Sequence, residues 1–537
     1  MAYYHNLREY LAALEQSGKL VRVTRPVNKD TELTPLVRLQ YRGLPEEQRR
    51  TFLFENVIDS AGHRYAIPVA IAALAGSRQI YAIGMQCQPE EIASRFVKAQ
   101  ANPISPSLVS SGPVQEEVHL GDHLLEHGGL SEFPIPIATP GFDPAPYITA
   151  PCVITRDPDS SIGNVGMYRA MVKAPDRTGL NFYTAMQGGY IHYRKYQRRA
   201  QSMPAAIVIG GPPSISYLAT TSLPVDVNEL AVAGGIAGEP VEVVRCKTID
   251  LEVPAHAEVV IEGLVPTDQL EPEAPFGETT GFVGPQDMNP FLRITCITHR
   301  RRPVWLAAIS QYPPSESTKM RQFVGQATLL RHLRDELKMD YVLEIGFFEE
   351  VCSGPLTAIR MAGTSLEAVW RALEAAAKRY LPAKILVAVD EDVQVQDIAS
   401  VLLAVVFRTQ PHRDYRIESF PARSFGDYSL EPVDRLAGRQ LSDSDRPTTS
   451  RLLIDATMKW PYPPVSLPKR EFMDRAISIW QELGLPPLKL TPPWWGINLG
   501  YWNEEHERHA LAATAGNHYL AGTEYARRRE YHVEGQT

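Results

Sequence analysis

Cysteine is scarce in this chain. Its five cysteines (Cys87, Cys152, Cys246, Cys296 and Cys352) are scattered and form no Cys-x-x-Cys pair. Neither a zinc ribbon nor a disulfide framework is expected. Reduced, buried thiols in a cytoplasmic protein are the simplest account. Long apolar runs are lacking too, and none approaches the ~18 residues of a membrane span. The opening Met-Ala-Tyr-Tyr-His-Asn-Leu-Arg-Glu-Tyr has neither the basic segment nor the apolar core of a secretory signal. There is no basic excess: the net charge is −8, which disfavours bulk nucleic-acid binding. No P-loop, Gly-x-Ser-x-Gly or Gly-x-Gly-x-x-Gly occurs in a usable context. Nucleotide hydrolysis, serine hydrolysis and dinucleotide binding therefore lack support.

What is present reads as an ordinary globular protein, with 44% hydrophobic and 22% charged residues. At 537 residues it exceeds a single core, and two or three domains are expected. Leu7, Tyr10, Leu11 and Leu14 recur at helical spacing, and Gly18 sits where that helix would stop. Residues 21–24 alternate like a strand, with Val21 and Val23 on one face. Residues 51–57 form another strand candidate, and Pro89 opens a helix carrying Ile92, Phe96 and Val97. An N-terminal α/β domain over 1–110 follows. Prolines crowd residues 102–151, which read as an extended connector and not a packed element. Strand-like runs at 147–156, 165–172, 205–209, 241–264 and 292–310 suggest an antiparallel, partly closed β-domain over 115–312. Beyond it, helices at 317–337 and 365–380 alternate with strands at 356–361 and 385–389. These give a C-terminal α/β domain over 313–485. An aromatic-rich arm, 486–537, carries Trp494, Trp495 and Trp502. It is expected to pack on a neighbouring subunit, because exposed tryptophans want cover.

The most pointed chemistry lies in Glu271-Pro-Glu-Ala-Pro-Phe-Gly-Glu-Thr-Thr-Gly281. Glu273 and Glu278 stand five apart with Pro275 and Gly277 between them. Proline and glycine oppose a helix, and a regular strand would send an odd-spaced pair to opposite faces. A bent loop would bring both carboxylates to one site, with Gly277 adopting backbone angles other residues resist. Two carboxylates in one pocket can split acid and base roles. A polar surface loop is the plain alternative.

Glu-Ala-Pro-Phe-Gly-Glu-Thr-Thr-Gly resembles the Glu-Gly-Pro-Phe-Gly-Glu signature of the UbiD family, decarboxylases that use prenylated FMN. Further resemblances follow in the family's order. Phe133 to Gly141, Phe-Pro-Ile-Pro-Ile-Ala-Thr-Pro-Gly, resembles the entry to the cofactor domain, a split β-barrel. In Ile162-Gly-Asn-Val-Gly-Met-Tyr-Arg the family places a metal-binding asparagine and an arginine that contacts cofactor and substrate. These fall on Asn164 and Arg169. An odd spacing requires a bulge or strand end between them if both face one pocket. Glu229 corresponds to a further metal ligand, although Asp226 and Glu229 before an apolar run also read as a helix capping box. Thr221 and Ser222 would sit near the flavin. Arg451, opening Arg-Leu-Leu-Ile-Asp-Ala-Thr-Met-Lys-Trp-Pro, would reach the flavin phosphate.

One departure stands out. The family's metal-binding histidine falls on Met186 or Gln187 in Ala-Met-Gln-Gly-Gly. A thioether suits Mn²⁺ or Mg²⁺ poorly, whereas Gln187 offers a carbonyl oxygen. His192 resembles the family's second, non-ligand histidine. The resemblance implies a prenylated-FMN carboxy-lyase with a divalent metal (Mn²⁺ or Mg²⁺), K⁺ as a further candidate ion, and a flavin prenyltransferase as cofactor supplier. It implies Arg169, Glu273 and Glu278 as the catalytic triad, an aromatic or α,β-unsaturated acid as substrate, and a homo-oligomer, dimer or hexamer. The basic run His192, Arg194, Lys195, Arg198 and Arg199 reads as a solvated helix face. With the aromatic tail it would also suit a bulky anion such as phthaloyl-CoA. Asp390-Glu391-Asp392 reads as a solvated loop, or else a Mg²⁺ site. The competing reading of the whole chain is a flavin-binding scaffold subunit without activity.

Overall fold

The computed structural model describes residues 2–182, 187–221, 223–224, 226–363, 365–380, 383–422, 426–437 and 445–530. It is a mixed α/β fold built from three sheets of four or more strands and several short ribbons.

The first helix, Leu7–Gln16, begins where the Asn6 side chain accepts from the Glu9 N–H, and buries Leu7, Tyr10, Leu11 and Leu14. The strand after it, Leu20–Val23, runs parallel to Thr51–Phe54 at a sheet edge. Val21 is exposed there, so the expected apolar face of this strand is not a buried one. Pro89 opens a short 3-10 turn that leads into Ile92–Ala101, where Ile92, Phe96 and Ala99 are buried. The fourth strand of this sheet is Trp305–Leu306, contributed from far downstream. One hydrophobic core accordingly runs from Tyr3 to Val324.

Nine strands form the curled central sheet, and all of its pairings are antiparallel. Its long members are Met203–Ile209, Val259–Val265 and Phe291–His299. The proline-rich connector is more than a spacer. Glu117–Leu120 pairs with Phe291–His299, Tyr147–Ile148 pairs with Ala170–Ala174, and Val114, Leu130, Phe133 and Ile135 lie in the core. Its prolines occupy the stretches between these strands, where no ladder N–H is required. The run expected at 165–172 is two strands, Gly163–Gly166 and Ala170–Ala174, separated by a break at Met167–Arg169.

Helix Glu316–Arg331 leads into a five-stranded mixed sheet, in spatial order Val342–Phe347, Leu356–Met361, Ile385–Asp390, Thr448–Asp455, Tyr415–Pro421. Glu316, the first helical residue, is fully buried and accepts the N–H groups of Ala72, Leu74, Ala75 and Ile309. Asp390 and Asp392 both bind Arg408, whose Nη2 lies 2.6 Å from Asp392. A guanidinium thus occupies the place a Mg²⁺ ion would need. Helix Arg470–Glu482 precedes the arm and has no buried residue, and the arm itself carries Glu504–Thr514 and Leu520–Ala526. Among the described residues no helix is long and apolar enough to cross a membrane.

Candidate active site

A cavity of about 280 Å³ opens between the central sheet, the helices beside it and the start of Glu316–Arg331. Its walls include Asn164, Arg169, Gln187, Thr221, Glu229 and Glu278. Six of the residues singled out from the sequence therefore meet in one place. Ser222 and Met186 lie outside the described residues.

Arg169 sits in the break between the two short strands. That break answers the odd-spacing problem, since a continuous strand would turn Asn164 and Arg169 to opposite faces. Arg169 Nε donates to Glu273 Oε1 at 2.9 Å, and its Nη1 donates to Glu278 Oε1. The guanidinium also lies over the Phe276 ring, 4.9 Å from its centre. Glu273 is only 1% exposed, and its second oxygen accepts from the side-chain amides of Asn181 and Asn289, the latter at 2.8 Å. Its oxygens are thus engaged by fixed donors, which suits a residue that orients another. Glu278 is different: it borders the cavity itself.

Two small ribbons hold these glutamates. Glu271–Glu273 pairs with Asp287–Asn289, and Phe276–Gly277 pairs with Val283–Gly284. The expected role of Gly277 changes here. Its φ is not positive; instead a Cβ would lie 2.7 Å from Gln311 Cγ and 2.8 Å from Thr139 Oγ1. Close approach, not backbone angle, demands the glycine.

Asn164 and Glu229 line another part of the wall. The Asn164 amide donates to the Tyr168 hydroxyl at 3.4 Å, and its Oδ1 lies so close to Gly188 that a Cβ there would come within 1.9 Å. The capping-box reading of Glu229 fails. Asn228 is the N-cap, accepting the N–H groups of Leu230 and Ala231. Glu229 is buried and accepts the Val165 N–H. Burial pushes its carboxyl up to about 8, only partly countered by that hydrogen bond. No cationic side chain pairs with Glu229 among the described residues. A buried carboxylate of this kind asks for a proton or a cation. Asn164 lines the same cavity, and a carboxylate with an amide carbonyl is a donor set that fits a hard divalent ion. Gln187 borders the same space.

His192 also lines this cavity, one turn along helix Gly188–Arg198 from its start. It is buried, its Nδ1 meets Thr155 Oγ1 at 2.9 Å, and burial lowers it to about 4. It is therefore neutral at pH 7. The rest of the basic run turns outward. Lys195 pairs with Asp157 and Asp159, and Arg199 pairs with Asp159. Those charges are already answered within the chain.

Arg451 does not border the cavity. It is buried in the C-terminal sheet, where Nη1 donates to Ala377 O and the guanidinium lies 3.8 Å from the centre of the Phe420 ring. Two side chains the sequence did not single out are close to the site. Arg321 lines the cavity and donates to Thr279 Oγ1 at 3.0 Å. Asp143 is buried and accepts the Thr139 N–H at 2.6 Å, and burial raises it to about 6. Helical spacing gave no sign of Arg321, and Asp143 lay in the stretch read as a connector.

Three family models match successive parts of the chain. They are the 3-octaprenyl-4-hydroxybenzoate carboxy-lyase N-terminal domain over 11–100, the Rift-related domain over 107–313 and the C-terminal domain over 318–456. An uncharacterized protein of Aquifex aeolicus is 31% identical over 90% of this chain and 99% of its own length. The UbiD-class enzyme HmfF from Pelotomaculum thermopropionicum, solved in complex with FMN, is 29% identical with a TM-score of 0.74, covering 88% of this chain and 100% of that one. An evolved dimeric form of the same enzyme, in complex with prFMN, is 30% identical with a TM-score of 0.72, covering 87% and 97%. Vanillic acid decarboxylase from Sedimentibacter hydroxybenzoicus, in closed form, is 25% identical with a TM-score of 0.74, covering 90% and 99%.

Proposed function

This chain belongs to the UbiD family, and on that premise we propose that it is a carboxy-lyase removing CO₂ reversibly from an aromatic or α,β-unsaturated acid with prenylated FMN. The observation that carries this reading is the single guanidinium of Arg169 held by both Glu273 and Glu278 at the cavity wall. Prenylated FMN, when bound, supplies the electron sink for breaking the carbon–carboxylate bond. The side chains have separate tasks. Arg169 receives the substrate carboxylate, for which its planar fork is suited. Glu273, fixed by Asn181 and Asn289, keeps that fork oriented. Glu278 is the general acid, placing a proton on the carbon that loses CO₂. Asn164 and Glu229 hold a divalent ion, Mn²⁺ or Mg²⁺, with Gln187 beside them. Thr221 lines the cavity and would sit near the flavin.

A free acid is favoured over a CoA ester. The basic run that suggested phthaloyl-CoA spends Lys195 and Arg199 on Asp157 and Asp159. The chain acts as a homo-oligomer and takes its cofactor from a flavin prenyltransferase. The test is the visible spectrum and CO₂ release of protein co-expressed with such a prenyltransferase. We expect a coloured protein that decarboxylates at least one member of a panel of aromatic and unsaturated acids. A protein holding only plain FMN and inert toward the whole panel would leave the scaffold reading in its place.

A further inference from the structure

Away from the cavity, two histidines and a glutamate converge beneath the connector. His119 lies on Glu117–Leu120 and His299 at the end of Phe291–His299. In the antiparallel register His119 faces Ile297, and Glu117 faces His299. The two imidazoles are therefore diagonal neighbours on one face of the sheet. Both are buried, and their Nε2 atoms stand 3.1 Å apart. Glu132, from the turn Gly129–Glu132, brings Oε1 to 3.6 Å from His299 Nε2. One donor atom from each of the three lies within 4.8 Å of the others.

Protonation makes this arrangement informative. His299 Nδ1 meets the carbonyl oxygen of Arg300 at 2.7 Å. A carbonyl only accepts, so Nδ1 carries the hydrogen and neutral His299 presents a bare lone pair at Nε2. That nitrogen lies 3.1 Å from His119 Nε2 and 3.6 Å from a Glu132 carboxylate oxygen, so three ligand-type atoms converge on one point. No lysine or arginine pairs with Glu132 among the described residues. An imidazole fixed through Nδ1–H on a backbone carbonyl, with Nε2 turned inward, is how metal-bound histidines are commonly held.

We propose that His119, His299 and Glu132 form a second metal site, a tetrahedral zinc-type centre distinct from the cavity at Asn164 and Glu229. Zinc bonds of about 2.0–2.1 Å at tetrahedral angles separate neighbouring ligand atoms by roughly 3.3 Å. The observed 3.1 and 3.6 Å bracket that spacing. The fourth position belongs to water or to His127, whose ring stands edge-on to His119 at 4.8 Å. The ion would be structural. It ties the connector strand and the Gly129–Glu132 turn to the longest strand of the central sheet, and none of its three ligands lines the cavity.

The test uses the full-length protein stripped with a chelator and titrated with Co²⁺ alone, then with Zn²⁺. We expect one equivalent of Co²⁺ to give the intense visible bands of tetrahedral coordination, and Zn²⁺ to displace it and raise Tm. His119→Gln and Glu132→Gln should each weaken this binding by at least about tenfold. Glu229→Gln should leave the tetrahedral signal intact, which separates this centre from the flavin-side ion. Glu132 is only half-buried, so Glu132→Gln is the variant that keeps the test valid if His119→Gln fails to fold. Wild-type protein without tetrahedral Co²⁺ bands, or Glu132→Gln protein with the same bands and the same affinity, would overturn the proposal.

Discussion

At the residue scale, the two glutamates of the signature differ because their surroundings differ. Glu273 is buried and engaged by Arg169, Asn181 and Asn289, while Glu278 touches Arg169 and borders the cavity. Of the two only Glu278 lines the cavity, which is why the acid role is proposed for it. Glu278→Gln keeps the shape and removes the transferable proton. We expect a fall in kcat of about 10²–10⁴-fold, the usual value of a general acid, with flavin content unchanged. Turnover and flavin absorbance measured on the same preparation check this. Turnover within tenfold of wild type would remove Glu278 from that role.

At the element scale, what could be read in the sequence was what depends on near neighbours. The helix burying Leu7, Tyr10, Leu11 and Leu14 follows from local spacing. So does the need for a break between Asn164 and Arg169. What could not be read depends on contacts between distant segments. The Arg169–Glu273 bond spans 104 residues, and the family signature, not periodicity, is what linked the two. The capping-box spacing at Asp226 and Glu229 is sound local chemistry, yet Asn228 takes the cap and tertiary packing buries Glu229. Arg451 opens its motif as the resemblance requires, but the sheet turns it onto Phe420. Glu316 is another case that only the assembled elements reveal. It starts a helix and ties that helix to Ala72, Leu74, Ala75 and Ile309. Burial, outweighing those four N–H bonds, pushes its carboxyl up to about 7. An unfolded carboxyl titrates near ~4.3. The native state thus retains a proton that the unfolded chain has already lost, and this contribution to stability declines as pH rises from ~4.3 through 7. Glu316→Gln should abolish that decline. It should also lower Tm at every pH, because each buried N–H left unpaired costs roughly 1–3 kcal/mol. Melting curves of both proteins between about pH 5 and 8 give the comparison; parallel Tm–pH profiles would contradict it.

At the scale of the whole molecule, the C-terminal arm and the helix that precedes it contribute little to the core of their own chain. Helix Arg470–Glu482 buries none of its residues, and Phe472, Ile479, Trp480, Leu483, Leu485, Leu488 and Leu490 are exposed. So many exposed apolar side chains within one stretch of chain suit an interaction face. Within the arm the contacts are local: Trp494 stands edge-on to Trp495, Arg470 lies over Trp495, and His509 is buried against Glu524 and Tyr525. The ion pair from Lys489 to Glu47 links the arm to the body across an exposed surface, and such a pair is worth at most ~1 kcal/mol. The apolar strip therefore needs cover that its own chain does not supply, and a second copy of the chain is the simplest source. Deleting the residues after Pro486 removes Trp494, Trp495 and Trp502 and strips what cover Arg470–Glu482 has. We expect a smaller oligomer or aggregation, seen by light scattering, together with a lower melting temperature. Because the cavity is built from residues 149–321, any soluble truncated protein should still retain flavin, so loss of assembly and loss of cofactor can be told apart. A truncated protein with the wild-type oligomer size and melting curve would show that the arm covers nothing.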